Sequence, residues 1–197
     1  MRAAQLLAMW LLAGCGLLAG CGLLAGCGLL GTRTPEDPLA EGGTFEQPDT
    51  PEQVIDNLQS AIAEMNTLNY RRGLAESLEF RPTATAESRD GIWSTWSRAS
   101  EEQYFSTMAA AASGGDGHRL DLNDRAFTLV DASHYRLDAT YVLVVNHRRP
   151  DVPMQVQGRL AWTIDQRQDG LWELSSWTDQ ELGGTPSWSD LKAGFMK

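Results

Sequence analysis

The amino-acid sequence predicts an α+β domain in which helices come first and pack on an antiparallel sheet formed by the second half of the chain. Between residues 51 and 112, apolar residues recur at spacings of three and four, which is the period of amphipathic helices. From His118 onward the apolar period becomes two, which is typical of strands with one buried face. Because such strands need a covering layer, we expect the helices to lie against the concave side of the sheet.

The first thirty residues predict export. Behind a single Arg2, the sequence Leu-Leu-Ala-Gly stands immediately before each of Cys15, Cys21 and Cys27. An uncharged apolar run that ends in small residues is typical of a secretory signal peptide. Leu-x-Gly-Cys also resembles the lipobox of bacterial lipoproteins, whose cysteine receives a diacylglyceryl group before the signal is removed. This resemblance implies a protein that is lipid-anchored to a membrane of the bacterial cell envelope, on the exported side.

The length of the apolar region ranks the three cysteines. Secretory signals usually run about 15 to 30 residues, so cleavage before Cys21 removes a signal of ordinary size. Cys27 ranks second and Cys15 third, and the predicted signal peptide is residues 1–20, with an end between 14 and 26. A transmembrane anchor is the alternative, because residues 3–31 are uncharged and exceed the roughly 20 residues that span a bilayer. Both interpretations attach the protein to a membrane.

Composition separates a tether from a folded unit. Residues 21–50 carry prolines and glycines without apolar periodicity, which predicts a flexible tether. Residues 51–197 are long enough for one domain with its own core. All three cysteines precede this domain, which excludes disulfides and thiolate metal sites within it. The formal net charge of −10 opposes binding to nucleic acid or anionic lipid.

Helix signals mark the first half of the domain. Residues 50–53, Thr-Pro-Glu-Gln, combine an N-cap, a proline at the first helical position and a capping-box partner. The helix that follows has an apolar face formed by Val54, Leu58, Ala61, Ile62 and Met65. A second helical pattern covers 69–78 and leads into an extended segment before a proline. Residues 83–91 are interpreted as a loop, and a capping pattern at Ser100 begins a third helix that ends near residue 112.

Alternating apolar residues predict four strands in the second half. The first covers about 120–129, and the next three form an antiparallel meander over 135–145, 154–164 and 171–174. Residues 188–195 predict a short terminal helix.

Short motifs spread over residues 51–195 carry a family resemblance. They are the first helix with its Tyr70 and Phe80-x-Pro82 sequel, the Trp96 then Glu102-x-x-Phe105 segment, and the Trp162-Thr163-Ile164 then Asp169-Gly170-Leu171-Trp172 hairpin. Together they resemble the nuclear transport factor 2-like superfamily, and in particular its uncharacterised bacterial lipoproteins. The resemblance implies a cone, in which a curved sheet wraps over helices and leaves a cavity at its open end.

The apolar strand faces do not supply a catalytic pair. They carry Tyr135 and Tyr141 but no acid, since Asp138 alternates to the opposite face and Asp179 lies near a strand end. The histidines have no neighbour at metal-ligand spacing and are interpreted as surface residues: His118, His134 and His147. No nucleotide, dinucleotide or hydrolase motif is present in the sequence. We therefore expect no catalytic residue, no metal and no cofactor.

Two hypotheses about function remain open. The superfamily includes isomerases, dehydratases and polyketide cyclases as well as members that only bind or dimerise, so the fold alone does not decide. The first hypothesis is a non-catalytic binding or interaction module, with an aromatic and nearly chargeless pocket for a small apolar ligand formed by Trp93, Trp96, Tyr141 and Trp162. If these rings only fill the core, the partner is a protein or a second copy bound through the sheet. The alternative is a cone-fold enzyme, of isomerase, dehydratase or cyclase type, that acts on a small apolar substrate.

Overall fold

The computed structural model describes residues 42–114 and 117–197. The predicted signal peptide, Cys15, Cys21, Cys27 and the tether up to residue 41 lie outside the described residues. Within the described part of the chain, no helix combines the length and the apolar character needed to cross a bilayer.

The first helix, α1 (Pro51–Ala63), begins where the capping pattern predicts. The Thr50 hydroxyl accepts a hydrogen bond from the Gln53 backbone N–H at 3.4 Å, and the Gln53 side chain accepts one from the Thr50 N–H at 2.9 Å. The buried face of α1 includes Val54, Ile55, Leu58, Ala61 and Ile62. The capping box is therefore confirmed, and so is the apolar face from Val54 to Ile62. Met65 lies beyond the C-cap Glu64, with a positive φ of 51°, so its place in the helix is wrong.

The helix predicted over 69–78 is wrong in its second half. Helix α2 (Thr67–Arg72) is followed by strand β1 (Leu74–Arg81), which pairs in parallel with the strand Trp172–Glu181. Leu74 and Leu78 lie four residues apart, and this spacing fits both the helical repeat and the two-residue repeat of a strand. Backbone pairing with a distant strand makes this segment a strand and not a helix. The local sequence pattern does not reveal that pairing.

The connection that follows β1 is more helical than the sequence predicts. The predicted loop contains helix α3 (Ala84–Arg89), and a 3₁₀ turn (Gly91–Thr95) comes after it. Helix α4 (Arg98–Ala111) has Ser97 as its N-cap, and Ser100 is the capping-box partner rather than the cap itself. The predicted third helix is thus present, and it begins earlier than its capping signal indicated.

The sheet contains β1 together with β2 (Arg119–Asp131), β3 (His134–Val144), β4 (Gln155–Gln166) and β5 (Trp172–Glu181). The strand order is β1-β5-β4-β3-β2, and all neighbours except β1 and β5 are antiparallel. The meander formed by β3, β4 and β5 is confirmed. The predicted α+β class, with helices packed on a curved and open sheet, is also confirmed.

The last helix, α5 (Trp188–Met196), confirms the predicted terminal helix and contacts α4, β4 and α3. One face of α5 is buried in the core, at the helical spacing i, i+3, i+4 and i+7, and consists of Trp188, Leu191, Lys192 and Phe195. Lys192, the cationic residue of this face, lies at the centre of the site described below.

Residues 42–50, the described part of the predicted tether, contact the domain. The Glu46 N–H donates to Asn57 Oδ1 at 2.9 Å, and Asn57 Nδ2 donates back to the Glu46 carbonyl at 2.7 Å. The Trp172 N–H donates to the Pro48 carbonyl at 2.9 Å. This segment therefore runs along α1 and reaches the start of β5.

Candidate functional site

The aromatic residues proposed from the sequence belong to one cluster of touching rings. Trp93 and Trp96 have ring centroids 4.9 Å apart, and Trp96 lies 5.8 Å from Phe80 of β1. Phe80 in turn contacts Trp177 of β5 edge-on at 5.3 Å. The connection before α4 and the inner face of the sheet are joined through these contacts.

The remaining proposed residues extend the cluster along the sheet. Trp177 meets Trp162 at 5.5 Å and Trp188 of α5 at 4.4 Å, in both cases edge-on. Trp188 lies 5.3 Å from Tyr141. Tyr141 and Trp162 are each about 1% exposed, so these rings pack against one another and against α5. A role for them in ligand binding stays a prediction.

A buried ion pair lies inside this cluster. Lys192 of α5 and Glu101 of α4 are both 0% exposed, and Lys192 Nζ donates to Glu101 Oε2 at 2.6 Å. Tyr70 Oη donates to Glu101 Oε1 at 2.8 Å, and Trp96 Nε1 donates to Glu101 Oε2 at 3.0 Å. The carboxylate therefore accepts three hydrogen bonds, as a buried charge requires. The expectation of a nearly chargeless interior is wrong.

Aromatic rings surround the Lys192 ammonium. Its Nζ lies 3.5 Å from the Phe80 ring centroid and 3.6 Å from that of Trp177. The rings of Trp96 and Tyr104 are each 5.6 Å away. A cation within about 6 Å of an aromatic face is attracted by the ring quadrupole, most strongly where water is excluded. Four rings and one carboxylate thus replace the hydration shell of the ammonium.

Burial sets the protonation of this site. It lowers the pKa of the Lys192 ammonium to about 8, against the opposing effect of the Glu101 and Asp179 carboxylates. The lysine therefore remains charged at neutral pH. Burial, followed by the Glu101 charge, raises the pKa values of Tyr70 and Tyr104 well above 10, so both phenols stay neutral.

A second polar group anchors the start of α5. Tyr141 Oη donates to Asp179 Oδ1 at 2.8 Å and accepts the Trp188 N–H at 2.7 Å. Asp179 Oδ2 accepts the Ser189 N–H at 2.7 Å and the Ser189 hydroxyl at 2.6 Å. Burial raises the pKa of the Asp179 carboxyl, although these hydrogen bonds oppose the shift. The first backbone N–H groups of α5 are satisfied by residues of β3 and β5.

The polar groups of this arrangement are engaged in contacts within the fold. Tyr141 and Asp179 are the residue types of a proton-transfer site, but their described hydrogen bonds go to each other and to α5. Glu101 is occupied by three donors, and Lys192 is enclosed by rings. The indole N–H groups of Trp162 and Trp177 are buried and have no hydrogen-bond partner among the described residues.

Sequence reasoning missed Glu101, Lys192 and Asp179, and a signal for two of them was present. Lys192 lies on the apolar face of α5. Glu101 lies on the same face of α4 as Tyr104, Phe105 and Met108, which follow it by three, four and seven residues. A charge in the middle of each of two apolar stripes, with opposite signs, indicates a buried pair. Asp179 was placed near a strand end, whereas it lies on the buried face of β5.

An open cleft of about 950 Å³ lies beside the other face of α5. It is lined by α3, by the loops before β4 and before α5, and by the α5 residues Asp190, Ala193 and Gly194. Arg89 and Arg149 reach into its rim, where Arg89 pairs with Asp190 at 2.8 Å. Trp93, Trp96, Tyr141 and Trp162 do not line this cleft.

The histidines differ from the surface interpretation at two of three positions. His118 and His147 are buried, where their Nδ1 atoms accept the backbone N–H groups of Asn146 and Arg149, each at 3.2 Å. His134 is part-exposed, and its hydrogen bond to Asp131 raises its pKa. Among the residues that the structure describes, no group of three or more His, Cys, Asp or Glu side chains is arranged to hold a metal ion.

Comparison with solved structures identifies similar folds. A nuclear transport factor 2-like protein from Cytophaga hutchinsonii ATCC 33406 superposes with a TM-score of 0.51 and 13% identity, over 70% of this chain and 100% of that chain. A protein from Novosphingobium aromaticivorans DSM 12444, provisionally named a scytalone dehydratase, gives 0.53 and 9%, over 67% and 81%. Another protein from Novosphingobium aromaticivorans, provisionally named an aromatic ring hydroxylase, gives 0.52 and 14%, over 72% and 92%.

These identities are low enough that the similarity shows the fold alone. The described domain has the nuclear transport factor 2-like cone fold that the sequence resemblance implied. Sequence comparison finds no matching family model and no matching curated protein.

Proposed function

We propose that this protein, whose described domain has the nuclear transport factor 2-like fold, is a membrane-anchored bacterial lipoprotein with a non-catalytic binding or interaction module. The observation that carries the proposal is the position of α5. Its apolar face packs into the aromatic cluster, and Lys192 lies fully buried at the centre of that cluster. A cone whose interior is filled and hydrogen-bonded in this way is suited to holding a group in place rather than to converting a substrate.

The anchor rests on the repeated Leu-Leu-Ala-Gly-Cys sequence at Cys15, Cys21 and Cys27. A lipid-modified cysteine with two or more acyl chains binds a bilayer far more strongly than one chain does. The domain would then act at the membrane surface, in the bacterial cell envelope on the exported side, and meet a small ligand or a protein partner there.

Metabolic labelling with a fatty-acid analogue tests the anchor. Replacing the three cysteines together by serine should abolish the label and move the protein out of the membrane fraction. The variant with only Cys21→Ser should lose less label if the neighbouring copies are accepted in its place. Undiminished label in the triple variant would contradict lipidation of these cysteines.

An enzyme remains the second candidate because Tyr141 and Asp179 form a buried, hydrogen-bonded pair with a raised carboxyl pKa. Two structural neighbours carry provisional enzyme names, a dehydratase and a hydroxylase, and these names also favour this alternative. Purified protein should show no turnover with small cyclic ketones or phenols. Turnover that disappears in Asp179→Asn and persists in Asp138→Asn, an exposed carboxylate of β3, would establish the enzyme instead.

A further inference from the structure

The aromatic rings and the carboxylate that surround Lys192 Nζ all lie outside α5. They lie on β1, on the connection before α4, on α4 and on β5, and they are Phe80, Trp96, Glu101, Tyr104 and Trp177. Tyr70 and Trp96 hold the Glu101 carboxylate in position by hydrogen bonds of 2.8 and 3.0 Å. Trp188 of α5 completes the packing of this site, because its Nε1 donates to the Tyr104 hydroxyl at 3.1 Å and its ring contacts Trp177.

The geometry selects one kind of cation. Nζ lies 3.5 and 3.6 Å from the centroids of Phe80 and Trp177, which is contact distance and leaves no space for methyl groups on the nitrogen. The 2.6 Å hydrogen bond to Glu101 needs an N–H donor. A quaternary ammonium is too large for this site and has no N–H donor. A primary ammonium on an unbranched alkyl chain is small enough and has N–H donors.

The helix that carries Lys192 follows a connection that contains two adjacent glycines. Gly183 and Gly184 in the connection to α5 both have positive φ, at 64° and 73°, and both are exposed. On its outer side α5 is held by pairs at the surface, such as Arg89 with Asp190. The Asp190 side chain is 26% exposed, and Tyr141 and Asp179 hold the start of α5 by buried hydrogen bonds.

We propose that the cone is a receptor for primary alkylammonium groups and that Lys192 occupies it as a tethered ligand. The inference rests on the proposed binding function and names its ligand class. A free amine, or a lysine on a helical segment of another chain, would take the place of Lys192. Without an ammonium, Glu101 would be a buried carboxylate that lacks its counter-charge, which the fold disfavours.

The test removes the tethered ammonium from the full-length chain. Lys192→Ala deletes three methylene groups and the ammonium, and n-propylammonium replaces exactly those atoms. We expect n-propylammonium chloride to raise the Tm of Lys192→Ala by about 3 °C or more. n-Propanol and propyltrimethylammonium chloride, which lack the charge and the N–H donors respectively, should not change the Tm. Fluorescence of the tryptophans in the site gives a second readout of binding.

Two variants serve as controls. Lys192→Met fills the space with a neutral chain and should not respond to the amine. Arg125→Ala, at an exposed position of β2, should behave like the wild type. If Lys192→Ala does not fold alone, recovery of its near-ultraviolet circular dichroism by n-propylammonium replaces the Tm as the readout. An equal response to n-propanol, or no response to the amine, overturns the proposal.

A peptide titration distinguishes the two possible sources of the ammonium group. A labelled peptide with the sequence of residues 187–197 is titrated against Lys192→Ala, beside the same peptide carrying Lys192→Met. Binding of the lysine peptide about tenfold tighter than the methionine peptide identifies a helical protein segment, and a response to n-propylammonium alone identifies a small amine. Equal binding of both peptides together with no amine selectivity overturns the proposal. Turnover of a substrate would sink the proposed function and leave these binding results unchanged.

Discussion

At the level of single residues, the interior of this protein contains two buried charges of opposite sign. Glu101 and Lys192 are both completely buried, and their interaction must offset the loss of hydration of two ions. Tyr70 and Trp96 complete the hydrogen bonds of the carboxylate, and aromatic faces surround the ammonium. The pair places two opposite charges in the core, where apolar packing alone would place none.

The protonation of Lys192 should appear in the stability of the protein. Burial lowers its pKa to about 8, whereas a lysine in the unfolded chain titrates near 10.4. Between these values the unfolded state binds more protons than the folded state, so stability rises with pH. From pH 7 to 9.5, the free energy of unfolding of the wild type should increase relative to Lys192→Met by about 2 kcal/mol. Urea denaturation at several pH values measures this difference.

The charged and titratable groups near Lys192 are Glu101, Asp179, Tyr70 and Tyr104. The two folded-state phenols stay protonated across this window because their pKa values are raised well above 10. Arg125→Met changes an exposed arginine of β2 and should follow the wild type at every pH. Parallel stability curves for the wild type and Lys192→Met would contradict the assignment.

At the scale of elements, α5 is held at its start by Tyr141 and Asp179 and along its buried face by Lys192 and its apolar neighbours. These contacts fix both the position and the rotation of the helix. The hydrogen bonds to its first N–H groups come from strands far away in sequence, so α5 docks on a surface that the rest of the fold prepares.

Asp179→Asn should loosen α5. The amide offers one acceptor oxygen where the carboxylate offers two, so either Tyr141 or Ser189 loses a buried acceptor. We expect a loss of about 1 to 3 kcal/mol in unfolding free energy and faster hydrogen exchange of the α5 amides. Asp138→Asn, on the exposed side of β3, should change stability by less than about 0.5 kcal/mol. Equal effects of the two substitutions would show that Asp179 does not anchor the helix.

At the scale of the whole molecule, residues 42–50 belong with the folded unit. They exchange hydrogen bonds with Asn57 and with Trp172, and Pro48 is buried. Residues 42–197 contain no cysteine.

We expect a fragment of residues 42–197 to unfold cooperatively and without dependence on reductant. A fragment of residues 50–197, which keeps the Thr50 cap of α1, should be less stable by about 1 to 3 kcal/mol, because each lost hydrogen bond contributes about 0.5 to 1.5 kcal/mol. Thermal and urea denaturation of the two fragments, with and without reductant, measure both effects. Equal stability of the two fragments would show that this segment only rests on the surface.

The class of fold and most of its elements can be predicted from local sequence patterns. The apolar period distinguishes α1, α4 and α5 from β2, β3, β4 and β5, because a buried face must recur at the repeat of its own element. The capping box of α1 is equally local, since its hydrogen bonds join residues three apart. The aromatic residues on the buried faces of the sheet and on the connection before α4 could be named on the same grounds.

The contacts between buried groups depend on how distant elements pack, and local patterns do not predict them. β1 is a strand because it pairs with β5, about a hundred residues later, although its apolar spacing also fits a helix. Glu101 and Lys192 are 91 residues apart, and Asp179 meets Tyr141 across 38. A periodic pattern reports that a side chain is buried, but the partner that makes a buried charge tolerable lies on another element. The charged interior of the cone therefore follows from how α4, α5 and the sheet pack together.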